Sequence, residues 1–311
     1  MYFENREMIP NPALKKIGFS DLDRLVIFHA DDIGMCQGSL SAYDDLLTFG
    51  LLSSAATMVP CPWFPAVGMF YRNHPNKEKL DIGVHLTLNS EWENFRWGPI
   101  STRDQASGLM DEDGYFYNNA DDVHAHADIG AVKQELKAQI ERALEEGIDI
   151  THIDTHMFSV FQPKLLPTYL ELGWQYQVPA FIVRWSADQL MALGHDAEEA
   201  ELLANIIQQA EADGMPLVDY VYMMPLNPVE NRLDHARLVL GELPPGISYF
   251  LIHPVTDTPE LRAMAPDWEA RVADRDLFLN EEWRREVEAA GVHVIGYCEL
   301  RELMRAGILS S

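Results

Sequence analysis

The stretch Leu25-Val26-Ile27-Phe28-His29-Ala30-Asp31-Asp32-Ile33-Gly34 decides the fold. Its first four residues form an unbroken apolar run, the pattern of a short strand buried on both faces. Two adjacent carboxylates then stand where that strand ends. In a protein interior such a pair needs a cation or a shared proton to offset its repulsion. A lone Asp-Asp pair is ordinarily a solvated turn, so its weight comes from what the rest of the chain sets beside it.

Outward from this strand, apolar runs alternate with helical patterns. A helix is expected over 37–50, closing at Gly50, then a strand over 53–59 and another over 81–88. Val132, Leu136, Ile140, Ala143 and Leu144 predict a helix over 131–146 that stops at Gly147. Strands follow near 150–156 and 180–184, helices near 163–172 and 196–213, strands near 248–253 and 292–297, and a last helix near 299–306. Residues 89–130, rich in Gly, Asp and aromatics, read as a long loop or lid. No repeat or low-complexity linker divides the chain, so residues 1–311 are expected to form a single α/β domain, a parallel barrel or a doubly wound sheet.

With 311 residues, 47% of them hydrophobic, the chain can bury a large core, and no run is long and apolar enough to span a bilayer. Forty-nine acidic against 23 basic residues leave a net charge of −26, which repels nucleic acid and anionic membranes. Neither is expected as a partner. Met1-Tyr2-Phe3-Glu4-Asn5-Arg6 lacks the order of a signal peptide. Cys36, Cys61 and Cys298 are scattered without CxxC spacing, which suits a reducing compartment and offers no thiolate zinc site. A cytoplasmic location is the expectation, and a homodimer is left open.

Three further strand ends carry titratable groups. His85 lies in Gly83-Val84-His85-Leu86-Thr87-Leu88 and shares a strand face with Gly83 and Thr87. In Thr151-His152-Ile153-Asp154-Thr155-His156 the period of two puts His152, Asp154 and His156 on one face. Phe250-Leu251-Ile252-His253-Pro254 ends another apolar strand in histidine, and the proline holds the backbone extended there. In parallel barrels, catalytic groups gather where the strands end. Each histidine alone is an ordinary structural residue; the coincidence of four strand ends is specific.

The order of these motifs resembles the YdjC/ChbG-like carbohydrate deacetylases. The matching stretches are His29–Gly34, Ser53–Pro62, Gly83–Leu88, Leu109–Phe116, Thr151–His156 and Ile252-His253-Pro254, so the resemblance covers nearly the whole chain. It implies a distorted (β/α) barrel of mostly parallel strands, TIM-barrel-like, that binds one divalent metal through an aspartate and two histidines. It further implies removal of acetyl groups from N-acetylated amino sugars or short oligosaccharides of the diacetylchitobiose kind. Carried over by motif, Asp32, His85 and His156 are the ligands and Asp31 is the base. Where members often place a further histidine two residues after the ligating one, this chain has Phe158, and Val255-Thr256 replaces the small residues common after His253-Pro254. Both departures touch the substrate pocket.

The residues support that chemistry by themselves. Amide hydrolysis needs a nucleophile stronger than water and a way to hold oxyanion charge. A cation with three protein ligands and open positions lowers the pKa of its water and polarises the carbonyl. Asp32 is assigned to ligation and Asp31 to proton abstraction, the reverse staying open, with His253 as the acid that protonates the departing amine. Asp154 orients an imidazole or replaces Asp32 as ligand. His152 and Arg184 are supporting or substrate-binding candidates, Arg184 being as well suited to a structural ion pair. Asp plus two His accommodates Mg or Zn first, and also Mn, Co or Ni. His124 and His126 read as surface residues, His29 as support behind the carboxylates, and the aromatics of 89–130 as either sugar platforms or anchors. The alternatives are another metallohydrolase cleaving an amide, ester or phosphate, and a non-catalytic carbohydrate-binding protein, which would lack a ligand or base.

Overall fold

The computed structural model describes residues 9–227 and 231–307; the N-terminal hexapeptide read above lies outside them. Among these residues the strands are β1 (Arg24–Ile33), β2 (Ser54–Thr57), β3 (Ile82–Leu86), β4 (Ile153–Thr155), β5 (Tyr220–Met223), β6 (Gly246–Ile252) and β7 (His293–Val294). All pair in parallel, in the order β4-β3-β2-β1-β6-β5, with β7 set against Leu25 and Val26 at the start of β1. Single parallel bridges, Ile153 to Ala180 and Val183 to Val218, carry the ring on from β4 towards β5. The sheet therefore curls into a distorted barrel ringed by helices, as the alternation of elements required.

β1 is central because it is apolar on both faces: every residue after Arg24 is buried. Val26, Phe28 and Ala30 pack in the main core with the surrounding helices, while Leu25 and Ile27 belong to a smaller cluster with Phe181, Tyr249, Leu251 and Tyr297. Ala13 and Leu14 of the helix Pro12–Lys16 join that second cluster. Apolar packing thus covers both faces of β1.

Several elements differ from the expected ones. Residues 180–184 make only the two bridges, because Pro179 and the turn at Trp185 leave no room for a regular ladder. The strand expected over 292–297 shrinks to His293–Val294, since the helix Tyr297–Arg305 starts within three residues. β5 was not expected, its Tyr-Val-Tyr-Met being partly exposed and lacking alternation. The segment 89–130 is no free lid. It holds the helix Ala120–His126, a 3-10 turn at Gln105–Ser107 and a bridge between Met110 and Phe116. Glu135, wholly buried on the helix Ile129–Glu145, accepts from the backbone N–H of Ile100 at 3.1 Å and of Ser101 at 2.8 Å. Trp92, Trp97 and Phe116 are buried there as anchors.

Candidate metal centre

Adjacent residues of a regular strand point to opposite faces, so Asp31 and Asp32 should diverge. They do not, because β1 carries an irregularity between Ala30 and Ile33 and Asp32 adopts φ +64°. Aspartate tolerates this left-handed conformation better than most residues, at a cost of order 1 kcal/mol. Gly34, at φ +87°, completes the turn; a Cβ there would lie 2.9 Å from Val67. Both carboxylates therefore face the C-terminal end of the barrel, where β3, β4 and β6 deliver the histidines.

Asp32, His85 and His156 offer ligand atoms that all lie within 4.8 Å of one another, and all three residues are buried. Asp32 Oδ1 sits 3.4 Å from His85 Nε2 and 3.3 Å from His156 Nδ1, yet has no hydrogen-bond partner. The far nitrogen of each imidazole is held by a carboxylate. Asp154 Oδ1 takes His85 Nδ1 at 2.8 Å, and Glu91 Oε2 takes His156 Nε2 at 2.9 Å. Such partners fix the tautomer whose lone pair points inward, the usual arrangement behind a metal-binding imidazole. The second oxygen of Asp32 receives Arg271 Nη1 at 2.6 Å, leaving Oδ1 to the cluster. An orphaned buried oxygen and two oriented imidazole nitrogens fit a divalent cation of the Zn, Co, Ni, Mn or Mg type.

The electrostatics agree. Burial works against every charge in the site, but Arg271 outweighs it at Asp32 and holds that carboxyl well below its ordinary range. At His156 burial is likewise overcome, by Glu91 and Asp32, and the pKa rises to about 10. Burial is outweighed again at His85, raised by Asp154 and Asp31, and at Asp154, lowered by His85 and His29. With Asp31, Asp32, Glu91 and Asp154 set about two imidazoles, the cluster is a negative nest suited to a cation.

Asp31 Oδ2 lies 3.8 Å from both His85 Nε2 and His253 Nε2, beside the cluster. His253 is anchored through its backbone N–H, which donates to Asp274 Oδ2 at 2.9 Å, while its Nδ1 has no partner. Burial pushes its pKa below that of an ordinary imidazole. The predicted Asp31, Asp32, His85, Asp154, His156 and His253 are thus brought together.

Arg184 is not, and His152 lies behind the cluster, its ring nitrogen within 4.8 Å of ligand atoms of His29 and Asp154. His152, Asp154 and His156 do share one face, but at successive depths, because β4 runs into the barrel. His156 opens a 3-10 turn at the rim, whereas the wholly buried ring of His152 stacks on Tyr297 at 4.1 Å. No substrate reaches it. Arg184 pairs with Asp219 at 2.8 Å and Glu211 at 2.6 Å, and Asp219 Oδ2 accepts from Ile247 N at the start of β6. That is the end opposite the carboxylates, and the ion-pair alternative is the one observed. Of the loop histidines, His124 is half-buried against the Ser159 carbonyl at 2.8 Å, and His126 is exposed on the ring of Tyr117.

Arg271 and Glu91 were missed. The one signal for Arg271 was its place with Asp274 and Phe278 on the buried face of the helix Trp268–Phe278, where charges are out of place unless paired. Trp92 covers the guanidinium, 5.2 Å from the ring centroid. Glu91 gave no signal.

A parallel barrel with an Asp-His-His cluster at its strand ends defines a class of α/β barrels whose rim could hold a metal ion. Within that class the chain belongs to the YdjC-like protein family, whose model matches residues 25–289. A carbohydrate deacetylase of Thermus thermophilus is 31% identical over 281 residues, covering 90% of this chain and 95% of the relative. A carbohydrate deacetylase of Thermoanaerobacter pseudethanolicus is 22% identical, over 89% of this chain and all of that one (100%). A crystal structure from Enterococcus faecalis, provisionally described as a cellobiose-phosphate cleavage protein, superimposes with a TM-score of 0.70 at 21% identity, over 88% of this chain and 98% of that one. It shares the fold.

Proposed function

We propose that this protein removes acetyl groups from N-acetylated amino sugars or short oligosaccharides of the diacetylchitobiose kind, using one divalent cation. The observation that carries this is the convergence of Asp32, His85 and His156 within 4.8 Å, with Asp31 and His253 alongside. The curated relatives named carbohydrate deacetylase point to the same substrate class. Asp32, His85 and His156 would hold the cation, with zinc or magnesium first among candidates. When bound, it supplies a more acidic water and polarises the acetyl carbonyl.

The chain's own groups do the rest. Asp31 is the base. Its Oδ2 faces the cluster, while Oδ1 is turned to His29 Nε2 at 3.1 Å. Asp32 cannot take that part, because Arg271 occupies one oxygen and suppresses its basicity. His253 protonates the departing amine, and its lowered pKa makes its protonated form a ready donor. Its Nε2 stands 3.8 Å from Asp31 Oδ2, so a proton taken up by the carboxylate has a short route onward. Met157 and Phe158, both at positive φ and both partly exposed, set an apolar rim directly after His156 that suits the face of a sugar ring. The free thiols Cys36, Cys61 and Cys298 suit action in the cytoplasm.

The test is acetate release from chitobiose-like substrates, run with a metal titration and beside ester and phosphate panels. Release from the amide in proportion to bound metal is expected, and faster turnover of an ester or phosphate would overturn the assignment. Asp31→Asn should keep its metal and lose about 100-fold or more in kcat.

A further inference from the structure

Behind Asp31 a chain of buried polar groups crosses the barrel from rim to base. Asp81, just before β3, accepts from Ser54 Oγ at 2.9 Å and Thr151 Oγ1 at 2.7 Å through Oδ1. Its Oδ2 accepts from Cys298 N at 2.7 Å, in the first turn of the helix Tyr297–Arg305. A carboxyl group serving three donors is an ionised acceptor, and the helix N-terminus favours that charge. Gly296 lets the chain pass so close: a Cβ there would stand 2.3 Å from Asp81 Oδ2.

This settles the proton on the next group. Ser54 gives its one hydroxyl proton to Asp81, so towards His29 Nδ1, 3.0 Å away, it can only accept. His29 Nδ1 therefore carries hydrogen. The other nitrogen, Nε2, lies between two carboxylate oxygens, Asp31 Oδ1 at 3.1 Å and Asp154 Oδ2 at 3.2 Å. A bare lone pair there would face two negative charges, so Nε2 carries hydrogen as well. The other groups facing the ring are Tyr249, stacked at 4.7 Å, and His152, edge-on at 5.1 Å, neither of which brings a negative charge. His152 is itself neutral: Thr151 Oγ1 has committed its proton to Asp81 and accepts from His152 Nδ1 at 2.9 Å, and burial disfavours a second proton.

We infer that His29 is an imidazolium at neutral pH, set by Ser54 and Asp81 at the far end of the barrel, and that it is a positioning residue for Asp31. Its charge holds Asp31 Oδ1 at 3.1 Å, an ion-pair contact rather than an aligned hydrogen bond, and so leaves Oδ2 to the substrate side. It also balances the two carboxylates, Asp31 and Asp154, that stand on either side of the reacting centre. The part concerning Asp31 rests on the deacetylase reading; the part concerning the ring does not.

The ring is tested by 15N NMR of the imidazole nitrogens in the zinc-loaded protein at pH 7.5. The His29 signals are assigned by their loss in His29→Gln or, should that variant not fold, by their shift in Ser54→Ala. Both nitrogens are expected to be protonated, and one unprotonated nitrogen overturns the inference. The role is tested by Ser54→Ala, which removes the acceptor of a buried cationic donor. It should lower kcat about tenfold with KM changed less than twofold and zinc content unchanged. A kcat within twofold of the parent overturns the positioning role. A protein that releases no acetate from any sugar substrate removes the deacetylase reading and leaves the NMR outcome standing.

Discussion

Replacing Arg271 by methionine probes the electrostatic design of the site most sharply. The guanidinium is buried, bonded to Asp32 at 2.6 Å and to both oxygens of Asp267 at 3.0 Å, with Trp92 across its face. Methionine keeps the stem that packs on Trp92 and deletes the charge, leaving Asp32 buried without its cation. Breaking a buried pair in this way costs about 3–5 kcal/mol. At roughly 2 °C per kcal/mol for a chain of this size, the metal-free variant should melt about 6–10 °C below the parent. Zinc changes the balance, because it neutralises the same carboxylate and is no longer repelled by Arg271. The variant should bind zinc at least about tenfold more tightly, which returns about 1.4 kcal/mol at saturation and narrows the gap by roughly 3 °C. Calorimetric melting of both proteins, with chelator and with saturating zinc, reads all four corners of the cycle. An identical gap in the two conditions would refute the claim that Arg271 and the cation share Asp32.

Three other outcomes follow from the geometry. Asp154→Asn removes the charge behind His85 and should weaken zinc binding about 10- to 100-fold, measured by competition with a chromogenic chelator; unchanged affinity would end its orienting role. The pKa of His156, raised to about 10 by Glu91 and Asp32 against the cost of burial, means that this ring is protonated in the metal-free protein at neutral pH, so binding must displace a proton. Affinity should therefore rise with pH, by about one decade per unit, with proton release seen calorimetrically in buffers of different ionisation heat; a flat profile contradicts it. His29 shows the matching stability effect. Burial lowers its pKa, but Asp154 and Asp31 lift it to about 9, above the unfolded value near 6.5. Its contribution, about 3 kcal/mol, is complete below pH 6.5 and is lost as pH rises through 9, so urea midpoints of the metal-free protein should fall over that window and those of His29→Gln should fall less.

The barrel was legible in the alternation of elements because it rests on local signals: an apolar run fills a strand, and Gly50 and Gly147 stop helices wherever they occur. The same holds for the site histidines. His85 stands near the end of its strand, and His156 and His253 directly after theirs; in a parallel sheet strand ends share one rim whatever the connections between them. What stayed illegible depends on partners distant in sequence. Arg271 lies 239 residues from the Asp32 it neutralises, and its place on a buried helix face marks it as paired without saying with what. Glu91 reaches His156 only because Glu135 and the buried tryptophans fold the segment 89–130 back over the rim. Arg184 ends an apolar run as the site residues do, but that run makes bridges rather than a strand, and the arginine comes to rest at the base of the barrel.

The Asp31-Asp32 pair divides the two sources of information. By itself the sequence determined that two carboxylates would end a buried strand and would need compensating charge, since residue type and hydrophobic pattern are local. Only the tertiary structure decided how differently the two are surrounded. The irregularity in β1 and the left-handed turn at Asp32 bring both to one rim. There Arg271 takes one oxygen of Asp32 and leaves the other to the histidines, while His29 turns Asp31 the other way. Their surroundings differ because charge acts through space, and the groups that supply it are brought near only by folding.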